Sequence, residues 1–525
     1  MSSHARSAMN ARCLSARLRR DACTQKNALL AATEDTKMNL PPDFARQMQR
    51  WLGPSFTDLE RAFADSALRA VRLHRTAFVD AANQQEADPI PVPRNLALAL
   101  LDPVPWSSDS YYIPTDSRLG RHVHHEMGVY YLQEPSAMAV VEALDPKAGE
   151  RILDLCAAPG GKSTAIAKRM AGTGTLVANE IHPSRVVTLA QNLERLGIDA
   201  VVTNESPDVL AVSWRGLFDA VLVDAPCSGE GMFRKDAAAV NEWREESPIL
   251  CSSRQREILQ CALHMVRPGG RLVYSTCTFN PLENERIIEW LLETFNVSIE
   301  ALPQWRGFEP ARSDWTLHAT DVGGARRLWP QSGLGEGHFV CRLRVLGDET
   351  TRGGTDAANK RASDRNGKPA HETRLDHAQE QTFRSFLKDI VMDPDDSWLS
   401  PIIQGDVAFS RPPSFLPLEG LRVLRPGVAL AVGHKGRFEP HHHLSRHLTL
   451  QNAAHPRAVD LEEARRYIAG DPLESHHASG FVWLHQDGFP IGFGKAVAGR
   501  INNRYPKGLR KAGLDVEYLP ATTDD

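Results

Sequence analysis

Several features that would set this chain apart from ordinary globular proteins are missing from its sequence. No apolar run approaches the roughly 20 residues that a membrane helix needs, so we expect no membrane-spanning segment. The cysteines form no CxxC pair and no zinc-type spacing, which argues against a disulfide framework or a structural metal and favours a reducing cytoplasm. The eight cysteines are Cys13, Cys23, Cys156, Cys227, Cys251, Cys261, Cys277 and Cys341.

An excess of charge of one sign is also lacking. The chain has 61 Lys and Arg against 65 Asp and Glu, a net charge of -4, so a nucleic-acid partner would need a local positive surface.

The length of the chain, 525 residues, predicts several domains. Residues 1–37, rich in Arg, Ser and Ala, indicate a disordered extension or a wrongly assigned chain start rather than a targeting signal.

Short apolar strands alternate with amphipathic helices between about Gly128 and Leu343, which predicts an α/β fold with a doubly wound, mostly parallel sheet. Strands are expected at 152–155, 175–179, 200–203, 220–223, 271–275 and near 339–343, and helices at 184–196 and 254–266. The domains predicted are a small N-terminal α+β domain (38–127), the catalytic domain (128–345), a polar linker (346–375), an intermediate domain (376–455) and a mostly β module (456–515). In the last module, two strand-like runs flank a turn at Asp487-Gly488.

A glycine-rich loop follows the strand expected at 152–155 and precedes a helix. Backbone amides and the helix N-terminus therefore face whatever ligand binds at the loop. The loop residues are Cys156, Ala157, Ala158, Pro159, Gly160, Gly161 and Lys162. Cysteine stands where the NTPase loop needs glycine, and the GxGxxG fingerprint is absent. Glu180 ends the next strand, where an acid binds ribose hydroxyls; capping the helix at Pro183 is its alternative role. With Asp154 and Asp224 nearby, the loop suits a ribose-bearing sulfonium without phosphates, S-adenosylmethionine.

Two buried strands end in cysteine motifs, Asp224-Ala225-Pro226-Cys227 and Ser275-Thr276-Cys277. The carboxyl ends of neighbouring parallel strands line one crevice, so we expect Asp224, Cys227 and Cys277 to converge beside the glycine loop. A thiolate that adds to carbon 6 of a cytosine makes carbon 5 nucleophilic, and an acid at ring nitrogen 3 stabilises the charge that develops. Asp224, with a raised pKa, is the predicted acid. The motifs therefore predict methyl transfer to carbon 5.

The chain resembles the Sun/Nop-type RNA cytosine-C5 methyltransferases over about residues 40–345, in the segments 131–136, 154–162, 224–229, 275–277 and 335–339. The resemblance implies a Rossmann-like class I methyltransferase domain, S-adenosylmethionine as cofactor and RNA as substrate. It assigns Cys277 as the nucleophile and Cys227 to product release. It also implies cofactor contacts from residues 156–162, Glu180, Asp224 and Glu205, the last at a position where relatives often have Asp.

The C-terminal segments 464–470, 488–495 and 503–510 are similar to the PUA-like tail of the bacterial RsmF branch, which implies small-subunit ribosomal RNA, free or in the assembling subunit, as the partner. Five cations within twelve residues beside Tyr505 predict a phosphate-contacting strip, for which a solvated basic face is the alternative. We call these five residues the basic strip: Arg500, Arg504, Lys507, Arg510 and Lys511. No metal is expected, and the histidines at 122, 124, 125, 441–443 and 447 are interpreted as loop residues.

Rival interpretations of the cysteine motifs remain open. A methyltransferase acting on DNA would use Cys227 as the nucleophile, and an amino-methyltransferase would need an aromatic residue where Cys227 stands. The sequence also leaves open a tRNA cytosine-C5 methyltransferase and a non-catalytic ribosome-assembly factor. The paired Pro-Cys and Thr-Cys motifs favour an active RNA enzyme.

Overall fold

The computed structural model describes residues 40–74, 93, 96, 99–347, 375–475 and 479–518. The predicted extension (1–37) and most of the predicted linker (346–375) lie outside these residues. The chain divides into two units at Asp65/Ser66. In the described part of the first, helices α1 (Pro42–Leu52) and α2 (Phe56–Ala64) pack through an edge-to-face contact of Phe44 with Phe63, whose ring centroids are 6.0 Å apart.

The second unit begins with a three-stranded antiparallel sheet and two helices. Strand β1 (Arg69–Leu73) lies between β2 (Ser110–Ile113) and β3 (Tyr130–Gln133), and α3 (Val123–Glu126) precedes β3. Helix α4 (Pro135–Leu144) starts at a proline, and the Glu134 carboxylate accepts a hydrogen bond from Ala137 N at 2.8 Å. An acceptor at that position satisfies an amide of the first helical turn that has no partner within the helix.

A ten-stranded sheet forms the centre of the second unit. Its parallel strands, in the order β8-β7-β4-β5-β6, are Val266–Thr276, Phe218–Asp224, Arg151–Asp154, Thr175–Asn179 and Val201–Thr203. Strand β12 (His338–Val345) joins β8 antiparallel and is flanked by β9 (Val297–Glu300), β11 (Arg326–Leu328) and, beyond it, β10 (Phe308–Pro310). The predicted doubly wound, mostly parallel sheet is therefore confirmed, with every predicted strand present.

Helices cover both faces of this sheet. They are α5 (Gly161–Met170), α6 (Pro183–Leu196), α7 (Pro207–Ser213), α8 (Ala237–Glu242), α9 (Ser247–Met265) and α10 (Glu285–Thr294). Alternate strand residues enter opposite cores, Leu153 and Val221 on one side and Ile152 and Leu222 on the other. Burial on both faces explains why these strands are continuously apolar.

The C-terminal part contributes two further sheets and one strand that sequence analysis missed. Strand β15 (Val423–Arg425) extends the central sheet by pairing antiparallel with β6. The four-stranded sheet contains β13 (Ile402–Gln404), β14 (Val407–Phe409), β16 (Ala429–His434) and β17 (Arg437–Pro440); the five-stranded sheet contains β18 (Pro456–Ala458), β20 (Ser479–Gln486), β21 (Phe489–Val497), β22 (Arg500–Asn503) and β19 (Leu473–Glu474). Helices α11 (His377–Ile390), α12 (His442–Ser445) and α13 (Leu461–Ala469) accompany them.

Two local predictions have opposite outcomes. The turn between β20 and β21 is confirmed, because Asp487 and Gly488 both have positive φ, as a tight two-residue hairpin needs. The interpretation of the histidines as loop residues is wrong for four of them, which lie in short helices: His124, His125, His442 and His443. All but the half-buried His125 are buried. His443 Nε2 is 3.2 Å from Ile198 O, so it joins α12 to the segment between α6 and β6. No described helix is long and apolar enough to cross a membrane.

Candidate active site

The glycine loop lies where the strand order reverses, between β4 and its neighbours β5 and β7. Ala157 N donates to Asn179 O at 2.8 Å, which fixes the loop to the end of β5. Gly160 has φ of 106°, a conformation that favours glycine, and α5 begins at the next residue. The loop therefore presents a helix N-terminus at the crevice where doubly wound sheets bind their ligands.

Asp154, the last residue of β4, has a buried carboxyl group, and only one of its two oxygens is hydrogen bonded to the described residues. Ser163 Oγ donates to its Oδ2 at 2.6 Å, whereas Oδ1 has no hydrogen-bond partner among the described residues. Burial, together with the charge of Asp224, raises the pKa of Asp154 to about 7. A buried acceptor without a donor is costly, so this oxygen fits the ammonium or hydroxyl donor of a ligand.

Glu180 and Glu205 follow β5 and β6 but have different partners. Glu180, 3% exposed, accepts from His182 N at 2.9 Å ahead of α6, so it satisfies the helix start that was its alternative role while facing the crevice end of β5. The carboxylate of Glu205 instead pairs with Arg422 from the C-terminal part, at 3.0 Å from Nε to Oε1. Sequence analysis missed Arg422, because nothing near it in the chain points to the site.

Lys162 and Asp224 form an ion pair at the centre of the site. Lys162 Nζ donates to Asp224 Oδ2 at 2.6 Å, Ser275 Oγ donates to Oδ1 at 2.7 Å, and His338 Nε2 lies 3.7 Å from Oδ1. Burial alone would raise the pKa of Asp224, but Lys162 and His338 outweigh it and lower that pKa below its ordinary value. The expectation of a raised pKa is therefore wrong; the opposing charges keep Asp224 ionised.

Cys227 and Cys277 are in contact, as the strand-end argument predicted. Their sulfurs are 3.4 Å apart, each a few residues beyond the paired ends of β7 and β8. Gly231 N donates to Cys277 O at 2.8 Å, and a Cβ at Gly231 would come within 2.8 Å of that oxygen. The hydrogen bond with Cys277 and burial raise the pKa of the Cys227 thiol, so Cys227 stays protonated and can donate to the other sulfur.

The basic strip is less available than its sequence indicates. Arg504 pairs with Glu439 at 3.2 Å, Lys511 with Glu126 at 2.7 Å, and Arg510 donates to Asn503 Oδ1 at 3.2 Å. Tyr505 is buried rather than exposed beside the cations. Arg500 and Lys507 are exposed, and no ion pair or side-chain hydrogen bond joins either of them to the described residues.

Comparison with known proteins matches family models to four stretches of the chain. They are 16S rRNA methyltransferase RsmB/F (residues 141–344), the N-terminal domain of 16S rRNA methyltransferase RsmF (40–135), the RsmF rRNA methyltransferase first C-terminal domain (385–448) and the methyltransferase RsmF PUA domain (457–511).

Whole-chain relatives match with similar coverage. Ribosomal RNA small subunit methyltransferase F of Salmonella paratyphi C is 34% identical over 429 residues, which is 79% of this chain and 85% of the relative. The Salmonella heidelberg protein of the same name is 33% identical over the same shares. The crystal structure of PH0851 is similar in fold, with a TM-score of 0.50 and 23% identity over 59% of this chain and 70% of that one.

Proposed function

Since the chain belongs to the ribosomal RNA small subunit methyltransferase F family, we propose that it methylates carbon 5 of a cytosine in small-subunit ribosomal RNA through a covalent adduct with Cys277, in the cytoplasm. S-adenosylmethionine is its cofactor and supplies an electrophilic methyl group when bound. The observation that carries the proposal is the 3.4 Å contact of two thiols beside an ionised acid.

The residues around the loop fit this cofactor. The free Oδ1 of Asp154 and the buried carboxylate of Glu180 supply acceptors for amino and hydroxyl donors, and α5 directs its N-terminus at the same crevice. Residues 156–162, Glu180 and Asp224 would hold the cofactor. Glu205 would contribute through the position of its backbone, since Asn179 binds that backbone at 3.0 Å on both sides.

The cysteine pair divides the covalent chemistry into two roles. The Cys277 thiolate forms a bond to carbon 6 of the cytosine, and the electron pair of the ring double bond becomes available at carbon 5. After carbon 5 gains the methyl group, its proton passes to solvent water and the electron pair of the carbon–hydrogen bond re-forms the ring double bond. The sulfur–carbon 6 bond breaks at the same time, and its electron pair leaves with sulfur as the Cys277 thiolate. Protonated Cys227, at 3.4 Å, donates a hydrogen bond to the departing sulfur and so assists product release.

Asp224 and Lys162 would bind the polar edge of the cytosine. Because Asp224 stays ionised, it accepts a hydrogen bond from the 4-amino group and from nitrogen 3 when that nitrogen carries a proton. Lys162 stays paired with Asp224 and places a positive charge beside the electron-rich ring of the adduct. Adduct formation would thus take place with both charges already paired, which avoids leaving a buried charge alone.

The two cysteine variants test the proposal. Cys277→Ala and Cys227→Ala proteins are incubated with S-adenosylmethionine and either ribosomal RNA, assembled small subunits or tRNA, and 5-methylcytosine and denaturation-resistant protein–RNA adducts are measured. We expect Cys277→Ala to be inactive without adduct, and Cys227→Ala to accumulate adduct with small-subunit RNA. An adduct in Cys277→Ala only would assign the nucleophile to Cys227. If no RNA gains 5-methylcytosine, the proposed reaction is contradicted and only a non-catalytic, RNA-binding role is supported.

A further inference from the structure

One buried carboxyl group links the two cysteine loops and has no part in the chemistry above. Glu283 lies six residues after Cys277 and its side chain is inaccessible to solvent. Its Oε2 accepts from Ser228 N at 2.9 Å and from Gln255 Nε2 at 2.9 Å, and its Oε1 is 2.5 Å from Ser228 Oγ. Ser228 is the residue that follows Cys227.

The same carboxyl group reaches the other cysteine through a second hydroxyl. Ser228 Oγ lies 2.7 Å from Thr278 Oγ1, and Thr278 is the residue that follows Cys277. Gln255 from α9 also donates to Pro226 O at 3.1 Å, on the opposite side of Cys227. Both chain neighbours of Cys227, and the residue that follows Cys277, are therefore hydrogen bonded to Glu283 or to one of its partners.

We propose that Glu283 is a positioning residue for the cysteine pair: its carboxyl group, acting through Ser228, Gln255 and Thr278, sets the separation of the Cys227 and Cys277 sulfurs. The role in turnover rests on the proposed function, but the geometry does not. Without the carboxyl group, Ser228 N and Gln255 Nε2 would lose the acceptor that they share, and the hydroxyl contact between Ser228 and Thr278 would lose its anchor.

A glutamine should replace Glu283 with little loss. Burial and the neighbouring Glu230 raise the pKa of Glu283 to about 8, so the neutral acid is well populated at neutral pH. A neutral acid donates to Ser228 Oγ and accepts from Ser228 N and Gln255, and a glutamine amide has the same donor and acceptor on two adjacent atoms. Alanine has neither.

The test measures the thiol pair directly, by titration with phenylarsine oxide, whose arsenic bridges two sulfurs in contact. Wild-type protein and Glu283→Gln should bind the reagent at the pair, with Cys227→Ala as the blank. We expect Glu283→Ala to bind it at least about 10-fold more weakly and to lose roughly 30-fold in kcat with KM for RNA nearly unchanged, the effect of a misplaced reacting group.

Glu289 is the matched control, because it is a buried acid on α10 that accepts backbone hydrogen bonds from Leu317 and His318 away from the cysteines. Glu289→Ala should lower thermal stability and leave arsenical binding at the wild-type level. If Glu283→Ala proves too unstable, Ser228→Ala, which removes only the hydroxyl bridge, should weaken arsenical binding by about threefold.

The proposal is overturned if Glu283→Ala, or Ser228→Ala in its place, binds the arsenical as tightly as wild type, or if Glu283→Gln fails as severely as Glu283→Ala. Arsenical binding requires no methyl transfer. If the wild-type protein methylates no cytosine but Glu283→Ala still loses arsenical binding, the proposed function is contradicted and the positioning role stands. If the wild-type protein methylates cytosine but Glu283→Ala binds the arsenical as tightly as wild type, the positioning role is contradicted and the proposed function stands.

Discussion

The strand-end site and the basic strip are both clusters of chemically active residues, but they differ in how far apart their members lie in the chain. Lys162, Asp224, Cys227 and Cys277 are spread over more than a hundred residues and still form two contacting pairs at neighbouring strand ends. The basic strip spans twelve residues, yet Arg504 and Lys511 pair with acids far away in the chain, and Arg510 is bound to Asn503 within the same span. The order of strands in the sheet therefore predicted which side chains meet at the strand-end site. Closeness in the sequence did not predict which cations of the basic strip are free to bind a phosphate.

The strongest test of this comparison removes a charge from the strand-end site. Lys162→Met should lower kcat/KM by about 100-fold near neutral pH, because the centre loses a charge-stabilising donor. Without Lys162, burial dominates and the pKa of Asp224 rises. The ionised carboxylate is then lost as pH falls through the raised pKa, so a pH–rate profile should show an acidic fall in activity that wild type lacks over the same range.

Lys168 provides the matched control for that profile. It lies on the same helix α5 but pairs with Asp109, at 2.5 Å, rather than with Asp224. Lys168→Met should reduce stability and leave the shape of the pH–rate profile unchanged. If both variants gave the same profile, the acidic fall would reflect unfolding rather than Asp224.

A smaller effect is expected where the C-terminal part contacts the site. Arg422→Ala would leave the Glu205 carboxylate, 2% exposed, without its cation at the end of β6. Arg422 is itself 57% exposed, so solvent screening limits the cost to about 1 kcal/mol and the rise in cofactor Kd to about fivefold. Calorimetric titration with S-adenosylmethionine measures this change.

Arg425, the last residue of β15, distinguishes loss of the Glu205 ion pair from a general loosening of β15. It pairs with Glu194 of α6 rather than with an acid at the site. Arg425→Ala should lower thermal stability by a similar amount and keep the wild-type cofactor Kd. Equal weakening of cofactor binding by both variants would show that attachment of β15, and not Glu205, controls the affinity.

The strands of the central sheet and the convergence of the cysteines could be predicted from sequence, because apolar runs and βαβ connectivity dictate which strand ends share an edge. The protonation of Asp224 could not be predicted, since it depends on the direction of Lys162 and His338, 62 and 114 residues away in the chain. The short strand β15 carries no periodic signal and joins the sheet through tertiary contacts alone. The acids that pair with Arg504 and Lys511, Glu439 and Glu126, are likewise remote in the chain.

The smallest expected effect concerns the two exposed cations of the basic strip. Arg500→Ala combined with Lys507→Ala should weaken binding of small-subunit RNA modestly and reduce the slope of log affinity against log salt by about 1.5, because each phosphate contact releases counterions. Filter binding at several salt concentrations measures the slope. Cofactor affinity should not change.

Arg504→Ala combined with Arg510→Ala removes the same charge from the same strip and is therefore the control. These two side chains are tied to Glu439 and Asn503, so their loss should lower stability more than the salt slope. A larger slope change for this pair than for Arg500 and Lys507 would mean that RNA displaces the internal partners. The number of cations in the basic strip, and not whether each is unpaired in the free protein, would then determine RNA binding. Closeness in the sequence would in that case predict the RNA contact as well as strand order predicts the strand-end site.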